Sequence, residues 1–219
     1  ERGNVARNIF AHTAELGADL VMLTSHGRSG WREVVFGNIA QQVIQSGSVP
    51  VFVVRPDTAR STFEPKQIAV PLDGNPVHEP SLQLAAELAK YYSAALHLVL
   101  VVPTAGTLSP ERAATGVLLP TSTRAVLELA EREAVDYLQG KVNELKEQKL
   151  KVSAEVERGA AAAKILEAAG RANADLYVLS THGRAGLGAF WEGSVTPQVM
   201  MHARAPVLLL RVFGEERPH

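Results

Sequence analysis

Asp175-Leu-Tyr-Val-Leu-Ser180-Thr-His-Gly183-Arg-Ala-Gly186-Leu-Gly-Ala-Phe-Trp-Glu-Gly193-Ser-Val-Thr196 runs from an apolar stretch through a glycine-rich loop into residues with helical spacing. The order strand, glycine loop, helix decides the fold class. Backbone N–H groups of such a loop can close on phosphate oxygens, and a helix beginning at Ser194 adds the positive end of its dipole. The hydroxyls of Ser194 and Thr196 would stand at the same place. On physics alone the segment is an anion or phosphate cradle. It is neither the dinucleotide fingerprint nor the Walker loop, because no Gly-Lys-Ser/Thr follows. The competing reading is a plain connection in which Ser194 is an ordinary N-cap.

Outward from this stretch, the chain alternates. Gln67–Leu72, Ala95–Val102, Leu150–Glu157, Asp175–Ser180 and Pro206–Val212 read as strands. Ser81–Tyr92, Thr123–Gln148, Ala160–Arg171 and Ser194–His202 read as helices. Pro103–Ser122, punctuated by Pro103, Gly106, Pro110, Gly116 and Pro120, reads as a long loop. Strict alternation with near-continuous apolar strands predicts an α/β fold, a five-stranded parallel sheet with helices on both faces and right-handed crossovers. In such a sheet a ligand lies outside the strand carboxyl ends, where the strand order reverses. Those ends are Pro71-Leu72-Asp73-Gly74, Val101-Val102 and Ser180-Thr181-His182-Gly183.

The quoted stretch has a counterpart earlier in the chain. Ile9–Arg55 aligns without gaps on Ile165–Arg211, an offset of 156 positions that pairs Asp19 with Asp175, His26 with His182, Gly27 with Gly183, Gly37 with Gly193 and Pro50 with Pro206. A period of that length is a domain rather than a solenoid unit. The register predicts a complete copy over residues 61–219, preceded over 1–60 by the C-terminal part of another whose first elements would fall before Glu1.

Charge and composition remove several classes. With 22 Lys+Arg against 23 Asp+Glu, mixed along the sequence, there is no basic stripe to displace counterions from a phosphate backbone, and nucleic acid is not an expected partner. The absence of cysteine removes disulfides, zinc ribbons, iron–sulfur ligation and a thiol nucleophile. No apolar run approaches the roughly 18 residues of a spanning helix, so no membrane partner is expected, and the chain reads as a soluble cytoplasmic protein. The histidines at 12, 26, 78, 97, 182, 202 and 219 include no i, i+2 or i, i+4 pair that would set two imidazoles on one metal. His26 and His182 read as loop residues that hold backbone or touch phosphate.

Taken together, His182 before Gly183, nine residues between Gly183 and Gly193-Ser194, Asp73 at the end of the first complete strand, and the final Pro206-Val-Leu-Leu-Leu210 resemble the universal stress protein family. The resemblance covers both copies. It implies a Rossmann-like domain of the adenine nucleotide alpha hydrolase type and, in one subgroup, ATP held by Gly-x-x-Gly, nine residues, Gly-Ser/Thr. Here Ser180 stands where that subgroup carries its first Gly. By position, the resemblance implies that Gly183, Gly193, Ser194, Val195 and Thr196 contact triphosphate and ribose, with Ser180, His182, Arg184 and Gly186 in the same loop. Pro71, Leu72 and Asp73 would meet adenine or ribose, and Val101 would line the base pocket. Mg²⁺ would arrive with the phosphates and need few protein ligands. Asp73 is also read as the cap of the Gly74-Asn75-Pro76 turn. The first copy has Gly37-Asn38, an amide in place of the Ser194 hydroxyl, so residues 1–56 are not expected to complete a nucleotide site alone.

The family resemblance implies an ATP-binding regulatory protein of the stress response. A slow ATPase or adenylate-transferring enzyme on the same fold, and an interaction module without nucleotide, are the alternatives. Against an enzyme, neither a triad nor a carboxylate pair is legible beside the loop, where Arg184 could neutralise phosphate charge. Residues 49–54 and 205–210 are unbroken apolar runs, and in this family the final strand pairs across a dimer or between tandem copies. The expectation is pairing of 49–54 with 205–210, or a homodimer through that edge. The other reading buries each strand under helices of its own sheet.

Overall fold

The structure, a computed structural model, describes residues 5–24, 38–47, 49–54, 63–108, 114, 117–182 and 195–212. Residues 1–60 supply α1 (Val5–Glu15), β1 (Val21–Thr24), α2 (Asn38–Ser46) and β2 (Val51–Val54). Residues 61–219 supply β3 (Gln67–Leu72), α3 (Pro80–Tyr92), β4 (Ala95–Val102), α4 (Pro120–Glu147), β5 (Lys151–Arg158), α5 (Ala161–Arg171), β6 (Leu176–His182), α6 (Val195–His202) and β7 (Val207–Val212). A single 3₁₀ turn at Pro76–His78 lies between β3 and α3.

Local chemistry accounts for these elements. In α3, Leu82, Ala85, Ala86 and Ala89 recur at helical spacing and are buried, and Pro80 occupies the first turn, where its missing N–H costs nothing. The helix stops at Ser93, which is left-handed at φ 56°, with the Ala94 amide donating back to the Ala89 carbonyl at 3.0 Å. In α4 the buried stripe is Leu127, Ala134, Leu138, Val142 and Leu145. That helix begins at Pro120, inside the stretch expected to be loop, because a proline whose φ is preset for helix favours the first turn. A short 3₁₀ turn at Ala105–Thr107 takes up another part of the same stretch.

The strands form one seven-stranded sheet in the order β1-β2-β7-β6-β3-β4-β5. Neighbours run parallel except at β2 and β7. From β3 the chain winds outward to β4 and β5, then returns to the other side of β3 for β6 and β7. This is the expected five-stranded parallel unit, doubly wound. The sheet continues past it because β2 pairs antiparallel with β7, in the register Val51↔Leu209, Phe52↔Leu208, Val53↔Val207. The apolar runs 49–54 and 205–210 thus cover each other within the chain.

Side-chain alternation then builds two cores. Ile68, Val70, Leu72, Leu96, Leu98 and Leu100 face α3 and α4. Ala69, Val99, Tyr177 and Leu179 face α5 and α6, and this core continues through Val51, Val53, Val207 and Leu209 to Ala6 of α1 and Val43 of α2. Both sides of the antiparallel junction therefore share one apolar layer.

The far edge strand, β5, points Val152, Ala154 and Val156 at the α3/α4 core and carries polar residues on its other face, a pattern that discourages further strand addition. There Ser153 Oγ lies 2.8 Å from His97 Nδ1, and His97 Nε2 lies 2.8 Å from Glu155 Oε1. Arg171 of α5 donates to Glu155 Oε2 at 3.0 Å and also to Glu157. Burial pushes the Glu155 carboxyl up, but hydrogen bonds from His97 and Arg171 outweigh it and hold the group below its ordinary range. Stability from this carboxylate is therefore full above the ordinary Glu value of about 4.3 and is lost as pH falls through the lower folded value. Urea midpoints of the unsubstituted chain and of Glu155→Gln should differ by a constant amount near neutrality and converge as pH falls below about 4. A gap that persists unchanged at pH 3 contradicts this.

Candidate functional site

Because β3 lies between β4 and β6, the carboxyl ends of these three strands are adjacent. The described β3–β6 register pairs are Ile68↔Leu176 and Ala69↔Tyr177, whereas the strands run on to Leu72 and His182. At the amino end Asp175 ties the two strands together: its carboxylate accepts the Lys66 amide at 2.9 and 3.1 Å and the Gln67 amide at 3.0 Å. Pinned at the amino end, β3 and β6 run past their last described register pair to the reversal of strand order among the described strands, the place where open α/β sheets form a ligand crevice.

Several of the residues singled out from sequence meet at this crevice. Asp73 follows β3 with its side chain 54% exposed. Its Oδ1 accepts the Asn75 amide at 3.0 Å, so the turn-capping reading holds, and its Oδ2 lies 2.5 Å from His78 Nδ1. Ser180 of β6 donates its hydroxyl to the His78 carbonyl at 2.6 Å, bridging β6 to the turn after β3. Thr196, buried in the first turn of α6, donates to the Ser180 carbonyl at 3.5 Å. Pro71 and Val101 are partly buried, and Val101 and Val195 pack on the α5/α6 core. Leu72 is buried in the opposite core beneath α3, which leaves its backbone as the part at the crevice. His182 ends β6. Gly183, Arg184, Gly186, Gly193 and Ser194 lie outside the described residues, as do Ser25–Gly37 of the first copy.

The sequence reading missed the support behind Asp73. His78 lies in the 3₁₀ turn, and its carbonyl also accepts the Ser81 hydroxyl at 3.0 Å. The next residue, Glu79, accepts the Tyr137 hydroxyl at 3.1 Å and the Lys141 ammonium at 2.9 Å, both from α4. Burial, with the charge and hydrogen bond of Glu79, pushes the Tyr137 phenol above its ordinary value, so it stays a donor. Burial works against the Lys141 charge, but hydrogen bonds to Glu79 and Glu144 outweigh it and hold that ammonium above its ordinary value. The only local signal in the sequence was Pro76-Val-His78-Glu79-Pro80, polar residues held between two prolines directly after Asp73.

Among the described residues, no group of three His, Asp or Glu side chains is arranged to hold a metal ion. No helix among them is long and apolar enough to cross a membrane. A cavity of about 1130 Å³ lies at the opposite end of the strands, beside the amino ends of β6 and β7, lined by Met22, Thr24, Phe52, Val54, Tyr177 and Arg204 among others. It is remote from the crevice because the antiparallel junction turns the carboxyl ends of β1 and β2 toward the amino ends of β6 and β7.

A doubly wound α/β sheet with a carboxylate and a helix start at its switch point defines the class: an open α/β protein with its candidate site at the strand carboxyl ends. The chain belongs to the universal stress protein family, whose model matches residues 1–55 and 64–211. A universal stress protein of Methanocaldococcus jannaschii is 30% identical over 146 residues, 67% of this chain and 82% of the relative. One from Mycolicibacterium smegmatis is 28% identical over 214 residues, 95% of this chain and 66% of the relative. The crystal structure of a universal stress protein from Archaeoglobus fulgidus shares the fold, with a TM-score of 0.65 and 17% identity, over 96% of this chain and 66% of that one. This chain thus spans just under two thirds of the length of the last two.

Proposed function

We propose that the chain binds an adenine nucleotide, ATP with Mg²⁺, in the crevice between β3 and β6, and that occupancy alters its conformation or choice of partner in a regulatory stress response. The observation that carries this reading is the convergence of the Asp73 carboxylate and the first turn of α6 at the single reversal of strand order, joined through Ser180. The donor set suits such a ligand. A half-exposed carboxylate accepts ribose hydroxyls, the amides opening α6 suit phosphate, and Pro71 and Val101 offer apolar surface to a base. Family membership and motif spacing bring His182, Gly183, Arg184, Gly186, Gly193 and Ser194 into the same reading. The bound nucleotide supplies a polyanionic phosphate chain, and Mg²⁺ accompanies it with few protein ligands.

Two further parts of the reading rest on the repeat. Residues 1–60 are the C-terminal part of a first universal stress domain and 61–219 a complete second one, which the two separate family matches support. Pairing of β2 with β7 uses the edge that a homodimer through the last strand would need, which favours association within the chain. Family membership favours a cytoplasmic setting. An enzyme is the less favoured reading. Ser180, His78 and Asp73 are the residue types of a hydrolytic triad, but the Ser180 proton goes to the His78 carbonyl and not to its imidazole, so the hydroxyl is not activated as a nucleophile.

Calorimetric titration with ATP and Mg²⁺ tests the proposal. One saturable event is expected, weakened about tenfold or more in Asp73→Ala and in Ser194→Ala, the usual effect of losing a hydrogen bond to a charged group. No saturable heat from the unsubstituted chain, or full affinity in both variants, overturns it.

A further inference from the structure

A carboxylate that is half exposed is a poor binding group unless something fixes its rotamer, since the ligand must otherwise bear the cost of ordering it. Asp73 is fixed from behind. An ionised carboxylate only accepts, so the 2.5 Å contact to Oδ2 requires that His78 Nδ1 carry a proton and donate it. The imidazole is itself immobile, its side chain 10% exposed. The His78 amide donates to the Asn75 carbonyl at 2.9 Å, while its carbonyl accepts both Ser180 and Ser81 hydroxyls. Glu79, the next residue, is clamped by Tyr137 and Lys141. The turn from 73 to 79 is therefore held at several points by β6, α3 and α4.

We propose that His78 is a positioning residue that aims the Asp73 carboxylate at the hydroxyls of a ribose, and that Ser180, bonded to His78 on one side and Thr196 on the other, ties the ribose end of the site to its phosphate end. This rests on the nucleotide reading given above. A buried partner ordering a carboxylate makes the site selective for a sugar with both hydroxyls, because a deoxyribose leaves part of that prepared acceptor unmatched. Selectivity, more than stability, is the property that follows.

The test is the ratio of dissociation constants for ATP against 2′-deoxyATP and 3′-deoxyATP, measured by calorimetry on the whole chain. The unsubstituted protein is expected to favour ATP about tenfold over at least one deoxy form. In His78→Ala and in Ser180→Ala that preference shrinks to about threefold or less, with the loss falling mainly on ATP. His78→Asn, whose side-chain amide can donate in place of Nδ1, restores most of it, which a merely structural role for His78 would not predict. Should His78→Ala fail to fold, Ser180→Ala and His78→Asn carry the same test. An unchanged ratio in Ser180→Ala and in whichever His78 variants fold, alongside a collapsed ratio in Asp73→Ala, overturns the positioning role and leaves the nucleotide site standing. A chain that binds no ATP removes both.

Discussion

Lysine in place of Leu208 is expected to lower the unfolding free energy by more than about 4 kcal/mol. Leu208 is 5% exposed, lies opposite Phe52 across the β2–β7 junction, and sits in the core that includes Leu176 and Val178. An ammonium there has neither water nor a counter-charge, and uncompensated burial of charge is among the largest single-residue penalties. Against a total stability of roughly 5–15 kcal/mol, the loss removes most of the margin. Urea unfolding measures it, with Leu208→Met expected to cost less than about 1.5 kcal/mol as a volume-conserving control. The junction itself is isolated by a double-mutant cycle on Val53→Ala and Val207→Ala, direct partners in the register. Residues in contact should couple by about 0.5 kcal/mol or more. Additivity within error would mean that the two strands do not pair.

The second large effect falls at the amino ends of β3 and β6. Asp175→Ala should cost about 2–3 kcal/mol, because three contacts from the Lys66 and Gln67 amides to its carboxylate are lost and those donors are left without their charged acceptor. The Asp175 amide also donates to the Gln67 carbonyl at 2.9 Å, so the residue joins the starts of β3 and β6 in both directions. Asp175→Asn, which keeps one acceptor oxygen, should lose about half as much. The repeat provides an internal comparison: Asp19 is the same residue at the equivalent position, is exposed, and should change stability by no more than about 0.5 kcal/mol on substitution by Ala. Equal losses at Asp19 and Asp175 in thermal or urea unfolding would contradict this assignment.

Much of the fold was legible because it rests on local pattern. Apolar runs such as Ala95–Val102 and helical spacing such as Leu82, Ala85, Ala86, Ala89 report burial directly, and their alternation orders the elements. Element ends were less legible where one residue type serves two roles: Pro120 punctuates loops as readily as it opens helices, and here it opens α4. The site was half legible. Asp73 and Ser180 could be named because strand ends are where ligands collect, and Thr196 because a helix start follows the glycine loop, but His78, Glu79, Tyr137 and Lys141 could not. Tyr137 and Lys141 reach Glu79 from about sixty positions away, and Ser180 reaches His78 from 102. No window of sequence contains both partners of such a bond.

By itself the sequence determined the alternating α/β order, the repeat at 156 positions, the strand ends at which a ligand is expected and the apolar runs that needed covering, all of them consequences of periodicity and residue type within short stretches. Only the tertiary structure decided that β2 and β7 cover each other, that Asp175 is a fastener while its twin Asp19 is exposed, and that the carboxylate of Asp73 is aimed by His78. The reason is that a hydrogen bond or a strand pair depends on which distant segment arrives opposite, and identical residues acquire different energies when one is exposed and the other is bonded across two strands.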